Sequence, residues 1–216
     1  MNLDLVIFDM DGLVVDSEKV YFKANMLAAE ALKMPYSFEY YRQYIGAGTE
    51  EMLKKMSRDY GSKQLVDEFI QLSQENVYHL VEEDGMPLKK GFRELSRYLK
   101  DNNINKALAS SNNKKAIDYF LGKADLQTQF DYIVSTDDVA HAKPAPDIFN
   151  QAWAAAAKPA KQRTLVLEDS INGINAAINA NIPAIMVPDL IKPSKQFRHK
   201  PLAILDDLAA VRSFIR

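Results

Sequence analysis

Apolar residues recur along this chain in two rhythms, and the change from one to the other divides it. Leu5-Val6-Ile7-Phe8 is an unbroken apolar run with acidic residues on both sides, which predicts a short buried parallel strand over residues 3–8. A turn is expected over 9–16. From Ser17 the spacing becomes helical: Val20, Ala24, Leu27, Ala28, Ala31 and Leu32 recur up to Pro35, with Ser17 as the expected cap. Thr49, Glu50 and Glu51 open a second expected helix, which Gly61 closes. A third is expected over 64–81, ending near Gly85-Met86-Pro87.

After Pro87 helices and strands alternate. The pattern predicts helices over 92–99, 114–121, 146–157 and 171–179, strands over 106–109, 132–135, 164–167 and 184–187, and a last strand-helix pair over 202–215. This is the signature of an α/β fold, a doubly wound parallel sheet with a Rossmann-like core. The helical block is then an insertion after the first strand, giving a core of residues 1–15 and 87–216 and a helical cap domain of residues 16–86.

Composition narrows the function classes. The 216 residues are 47% hydrophobic, enough for one good core and a smaller satellite. Lys and Arg total 27 against 29 Asp and Glu, a net charge of −2, so neither nucleic acid nor an anionic membrane is expected as partner. A monomer, or at most a weak homodimer, is expected. With no cysteine there are no disulfides, thiolate metal sites or cysteine nucleophiles. The first residues carry an acid, Asp4, inside the apolar stretch and do not read as a signal peptide, and a cytoplasmic location is expected.

In an open parallel sheet, ligands gather beyond the carboxyl ends of the strands. Four such ends are polar here: Asp9-Met10-Asp11-Gly12, Ser110-Ser111-Asn112, Glu168-Asp169-Ser170, and Lys143 in His141-Ala142-Lys143-Pro144-Ala145-Pro146, after Asp137-Asp138. One acidic turn alone is commonplace, because Asp and Gly favour turns for conformational reasons. Ser110-Ser111-Asn112 alone could be a helix cap, and a loop lysine is usually solvated. Carboxylates gathered with few cations suggest a hard divalent ion held by oxygen, for which Mg²⁺ is the usual choice. His141 reads as a solvated loop histidine, and Phe38, Tyr40, Tyr41 and Tyr44 read as packing.

Asp9-Met10-Asp11-Gly12-Leu13-Val14-Val15-Asp16-Ser17 resembles the first motif of the haloacid dehalogenase superfamily, with Ser110, Lys143 and Glu168-Asp169 standing where its second, third and fourth motifs fall. The resemblance covers the whole chain and is closest to the branch of β-phosphoglucomutase and sugar-phosphate phosphatases. It implies a phosphatase in which Asp9 is the nucleophile and Asp11 the general acid and base. It implies Mg²⁺ held by Asp9, the Asp11 main-chain carbonyl and Asp169, with Glu168 a ligand or a supporting partner. Ser110 and the Ser111 backbone N–H would grip the phosphoryl oxygens, and Lys143 would neutralise them. The substrate would be a small phosphorylated metabolite, with the cap closing over it and Gly46, Gly48 and Gly85 as flexible points.

The chain departs from the family at several places. Leu13 replaces the usual Thr or Val, a change of packing alone. Where β-phosphoglucomutases carry a Lys-Gly-x-Ser-Arg loop for the far phosphate, this chain reads Ile45-Gly46-Ala47-Gly48-Thr49, and Tyr21 stands at the mutases' cap histidine. Gly46, Ala47, Gly48 and Thr49 are thus the candidate substrate contacts of the cap, without its cations. Hydrolysis of a monoester is favoured over a phosphosugar mutase, and a non-catalytic binding protein on the same fold is the remaining alternative.

Overall fold

Leu5, Val6, Ile7 and Phe8 are all fully buried and form β1 (Leu5–Phe8), the strand on which the sheet is built. A computed structural model describes residues 1–43 and 49–216, the side chains of residues 49–51 excepted. On one side β1 pairs with β2 (Asn105–Ala109), which pairs with β3 (Tyr132–Val134); on the other it pairs with β4 (Thr164–Glu168), followed by β5 (Ala184–Met186) and β6 (Ala203–Ile204). The order is β3-β2-β1-β4-β5-β6 and every pair is parallel. The order of winding therefore reverses between β1 and β4.

The chain divides into two compact units, Met1–Asp16 with Met86–Arg216, and Ser17–Gly85. The second unit contains α1 (Ser17–Ala31), α2 (Phe38–Tyr41), α3 (Thr49–Asp59) and α4 (Lys63–Asp84). Its core is Ala28, Ala29, Met34, Met56, Val66 and Phe69. Ser37 and Ser62 cap α2 and α4 by accepting from Tyr40 N and Leu65 N, and Gly85, at φ +74°, ends α4 in a backbone conformation that a side chain would disfavour. Two expectations are corrected. α1 begins at Ser17 and Ser17 Oγ has no hydrogen-bond partner among the described residues, so the expected cap does not form. The four-residue α2 is additional. Phe38 and Tyr41 pack on Phe22 at centroid distances of 5.3 and 5.4 Å, and Tyr40 on Tyr36 at 5.5 Å, which makes these aromatics part of the packing; Tyr44 lies outside the described residues.

In the first unit α5 (Phe92–Asp101), α6 (Lys114–Lys123), α7 (Asp147–Ala155), α8 (Ile171–Asn179) and α9 (Leu208–Ile215) accompany the strands. Alternation along β1 sends its side chains to both faces. Leu5 and Ile7 join Phe149 and Ala152 of α7 and Ile174 and Ala177 of α8. Phe8 meets Phe92 of α5 and Phe130 edge-on, at 5.9 and 5.8 Å. Burying one such side chain contributes roughly 1.5–3 kcal/mol. Helices on both faces explain why β1 reads as an unbroken apolar run.

Segments 14–16 and 87–89, where the chain leaves and rejoins this unit, are stitched together within it. Asp16 N–H donates to Pro87 O at 2.8 Å, Lys89 N–H donates to Val14 O at 3.0 Å, and Val15 bridges Leu88 antiparallel. β3 ends one residue before the expected 135, because Ser135 and Asp138 cap a short 3₁₀ turn, Thr136–Asp138.

Candidate active site

The crevice beyond the carboxyl ends of β1 and β4 is where a sheet of this order accepts a ligand, because the loops diverge there to opposite faces. Asp9 follows β1 and Glu168 ends β4. Asp9 N–H donates to Leu167 O at 3.0 Å, continuing the ladder, so backbone pairing fixes the two carboxylates beside each other. Lys143 reaches in from the loop before α7. Its Nζ bonds Asp9 Oδ1 and Glu168 Oε1, the latter at 2.8 Å, and lies 5.0 Å from the Phe149 ring centroid.

Glu168 is 1% exposed and its other oxygen is also engaged: Oε2 accepts from Ser170 N at 2.7 Å and Ser170 Oγ at 2.9 Å. Ser170 in turn caps α8 by accepting from Gly173 N. A Cβ on Gly173 would overlap the Glu168 carboxylate, which is why this turn of α8 carries glycine. Asp169 is the third acid, and one carboxylate oxygen from each of Asp9, Glu168 and Asp169 lies within 4.8 Å of the others.

Three carboxylates share one ammonium here. Burial pushes the Asp9 carboxyl up to about 7, with Lys143 pulling it down and Glu168 and Asp11 pushing it further up. Burial also lifts Asp169 well above the usual carboxylate range, and Glu168 and Asp9 add to the shift. For Lys143 burial opposes the charge, but Asp9 and Glu168 outweigh it and hold the ammonium above its ordinary range. Such a group is short of positive charge and offers only hard oxygen donors, which fits a divalent cation of the Mg²⁺ type.

The turn after β1 is tight. Gly12 N–H donates to Val15 O at 2.9 Å and Val14 N–H to Met10 O at 2.9 Å. Gly12 has φ +72°, and a Cβ there would lie 2.6 Å from Asp169 Oδ2, so both conformation and space demand glycine. The Asp11 carboxylate accepts from Asn112 Nδ2 at 2.6 Å. Ser110, wholly buried, donates its N–H to Val134 O at 3.0 Å and accepts from Asn112 N at 3.1 Å through Oγ. The cap of α6 is Asn113, so Ser110-Ser111-Asn112 precedes the helix instead of capping it.

A sequence model described as haloacid dehalogenase-like hydrolase matches residues 6–187. The chain belongs to this family. Among relatives of this hydrolase, a probable pseudouridine-5'-phosphatase of Drosophila melanogaster is 32% identical over 188 residues, 85% of this chain and 80% of that protein. A phosphorylated carbohydrates phosphatase of Thermotoga maritima is 30% identical over 183 residues, 85% of this chain and 84% of that protein. The crystal structure of a putative β-phosphoglucomutase from Thermotoga maritima superposes with a TM-score of 0.84 at 26% identity, covering 99% of this chain and 98% of that one.

The haloacid dehalogenase-like core thus brings Asp9, Lys143, Glu168 and Asp169 together, with Asp11 on the same turn and Ser110 after β2. The Asp11 carboxylate faces Asn112 and lies outside the three-acid group. Ser111 is exposed. Gly46, Ala47 and Gly48, and the side chain of Thr49, lie outside the described residues. His141 pairs with Asp147 at 2.9 Å, 74% exposed.

Two charged residues were not among the sequence candidates. Asp189, after β5, is 5% exposed at its side chain and accepts from Lys89 Nζ at 2.6 Å; Lys89 also meets Asp16 at 3.4 Å. A Cβ on Gly12 would lie 3.1 Å from Asp189 Oδ2, so Asp189 and Asp169 flank the same glycine. The strand-end rule, applied to β5, finds Asp189; nothing local marks Lys89. A cavity of about 420 Å³ lined by Pro188, Asp189, Lys192, Pro193, Arg198, Ile204 and Asp206 shares only Asp189 with these groups.

Proposed function

We propose that this chain is a Mg²⁺-dependent phosphatase that hydrolyses a small phosphate monoester, a sugar or polyol phosphate, through a phosphate ester of Asp9. The observation that carries the reading is Asp9 at the reversal point of the sheet, paired with Lys143 and backed by Glu168 and Asp169, with Asp11 two residues on. The two relatives named as phosphatases of a nucleoside phosphate and of phosphorylated carbohydrates support the substrate class.

Asp9 attacks phosphorus, splitting one hard displacement into two easier ones. Asp11 gives a proton to the leaving oxygen and later takes one from water. Ser110 and the Ser111 N–H hold phosphoryl oxygens, and Lys143 offsets their charge. Asp9, Asp169 and the Asp11 main-chain carbonyl would hold Mg²⁺, with Glu168 either a further ligand or the group that orients Lys143. Bound there, the ion supplies further positive charge toward the phosphoryl oxygens.

The test is inorganic phosphate release from a panel of sugar, polyol, nucleotide and sugar-acid phosphates, with Mg²⁺ and with a chelator. Mg²⁺-dependent release that falls by at least about a thousandfold in Asp9→Asn is expected, since loss of a nucleophile costs several orders of magnitude. Substantial turnover by Asp9→Asn, or inertness across the panel, would overturn the reading.

A further inference from the structure

Asn112 and Asp11 are 101 residues apart in sequence and 2.6 Å apart in space. A carboxylate accepts hydrogen bonds and cannot give them, so the partner atom on Asn112 is its amide nitrogen. The backbone around that amide is braced on two sides: Asn112 N–H donates to Ser110 Oγ at 3.1 Å, and Asn112 C=O accepts from Thr136 N at 3.0 Å. Its side chain therefore projects from a fixed loop onto a half-exposed carboxylate carried by a turn. A charge-assisted bond in that position selects one arrangement of Asp11 from those the turn would otherwise allow.

We propose that Asn112 is a positioning residue for proton transfer: its amide, held on a fixed loop, keeps the Asp11 carboxyl in the arrangement from which it delivers and collects the proton. This rests on Asp11 being the acid and base of the proposed phosphatase. In the first half-reaction an Asp9 oxygen bonds to phosphorus, the bond from phosphorus to the leaving oxygen breaks, and the Asp11 proton passes to that oxygen. In the second, water oxygen bonds to phosphorus, its proton passes to Asp11, and the Asp9–phosphorus ester breaks to regenerate the carboxylate.

Hydrolysis depends most on this arrangement when the leaving group is a poor one, since an alkoxide needs its proton during departure and a phenolate does not. Asn112→Ala should lower kcat on an alkyl phosphate about 10- to 100-fold, the expected loss for a hydrogen bond to a charged group, and leave KM nearly unchanged. Leaving-group release in the first turnover of an aryl phosphate should hardly change.

The decisive measurement is a double-mutant cycle with Asp11→Asn in Mg²⁺-saturated enzyme. If Asn112 acts through Asp11, Asn112→Ala costs nothing further once the carboxylate is gone. A loss that persists undiminished in the Asp11→Asn background overturns the proposal, as does an Asn112→Ala enzyme equal to wild type on the alkyl phosphate. Asn112→Asp, which keeps the shape and sets an acceptor against the carboxylate, provides the same cycle should the alanine variant fold poorly. Failure of the underlying reading looks different: Asp11→Asn alone would then reduce the alkyl reaction and first-turnover aryl release equally.

Discussion

Lys143 Nζ stands 2.8 Å from Glu168 Oε1 and bonds Asp9 with the same ammonium, so one cation ties the end of β1 to the end of β4. Replacing it by Met keeps the stem over Phe149 and removes the charge. Lys143→Met should reduce kcat/KM by about 10²- to 10³-fold, the usual loss for a group that stabilises developing charge. Steady-state kinetics with circular dichroism to confirm folding would check this; a loss under threefold would remove Lys143 from the chemistry.

Gly173 tests Glu168 without touching it. A methyl group at this position overlaps the Glu168 carboxylate, which must turn away and give up its bonds to Ser170 and Lys143. Gly173→Ala should cost about 1–3 kcal/mol in stability and lower activity as well, as for a buried charged group that loses its partners. Gly61→Ala is the control: φ is +67° there and nothing lies within 4 Å of the added carbon, so it should cost about 1–2 kcal/mol from conformation alone and leave kcat unchanged. Urea melts and kinetics on both variants separate the two effects.

Asp207 gives a pH dependence away from the site. Its carboxylate bonds Lys90 at 2.7 Å and caps α9 through Ala210 N at 2.8 Å; Lys90 and that cap hold it below the usual range. A depressed native value means the contribution is present above the unfolded value of about 3.9 and is lost as pH falls through the lower, folded one. Asp207→Asn keeps a capping oxygen without the charge. The difference in midpoint between wild type and Asp207→Asn should be constant above about pH 5 and shrink below about pH 4.

Phosphatase and mutase separate in a single sample. β-Glucose 1-phosphate with a trace of hexose bisphosphate should give free phosphate, with no faster appearance of glucose 6-phosphate. With Ile45-Gly46-Ala47-Gly48-Thr49 where mutases carry a basic loop, a second phosphate would lose hydration and gain too few charge-assisted bonds, a deficit of several kcal/mol by order of magnitude. A coupled dehydrogenase assay run beside a phosphate assay reads both products; isomerisation outpacing release would assign the chain to the mutases.

The sheet and the polar strand ends were legible in the sequence because both depend on local features. Leu5–Phe8 is apolar throughout, as burial on two faces requires, and Asp9 and Glu168 stand at the ends of such runs. Features that depend on distant chain segments were not. Asn112 was visible as a polar residue, but its aim at Asp11 arises from β1 and β2 being neighbours. Lys89 meets Asp189 across 100 residues, and no periodicity encodes that. α2 is too short to show a repeat, and Ser17 has the chemistry of a cap one position inside the helix.

The short ribbon at Val15 and Leu88 makes the 69-residue helical unit a closed excursion from the sheet, since its exit and return are hydrogen-bonded neighbours. Residues between those two points can be added, lost or exchanged without shifting the register of β1 or moving Asp9. A unit grafted from a relative at the same two crossings should therefore leave Asp9 and Glu168 at their strand ends.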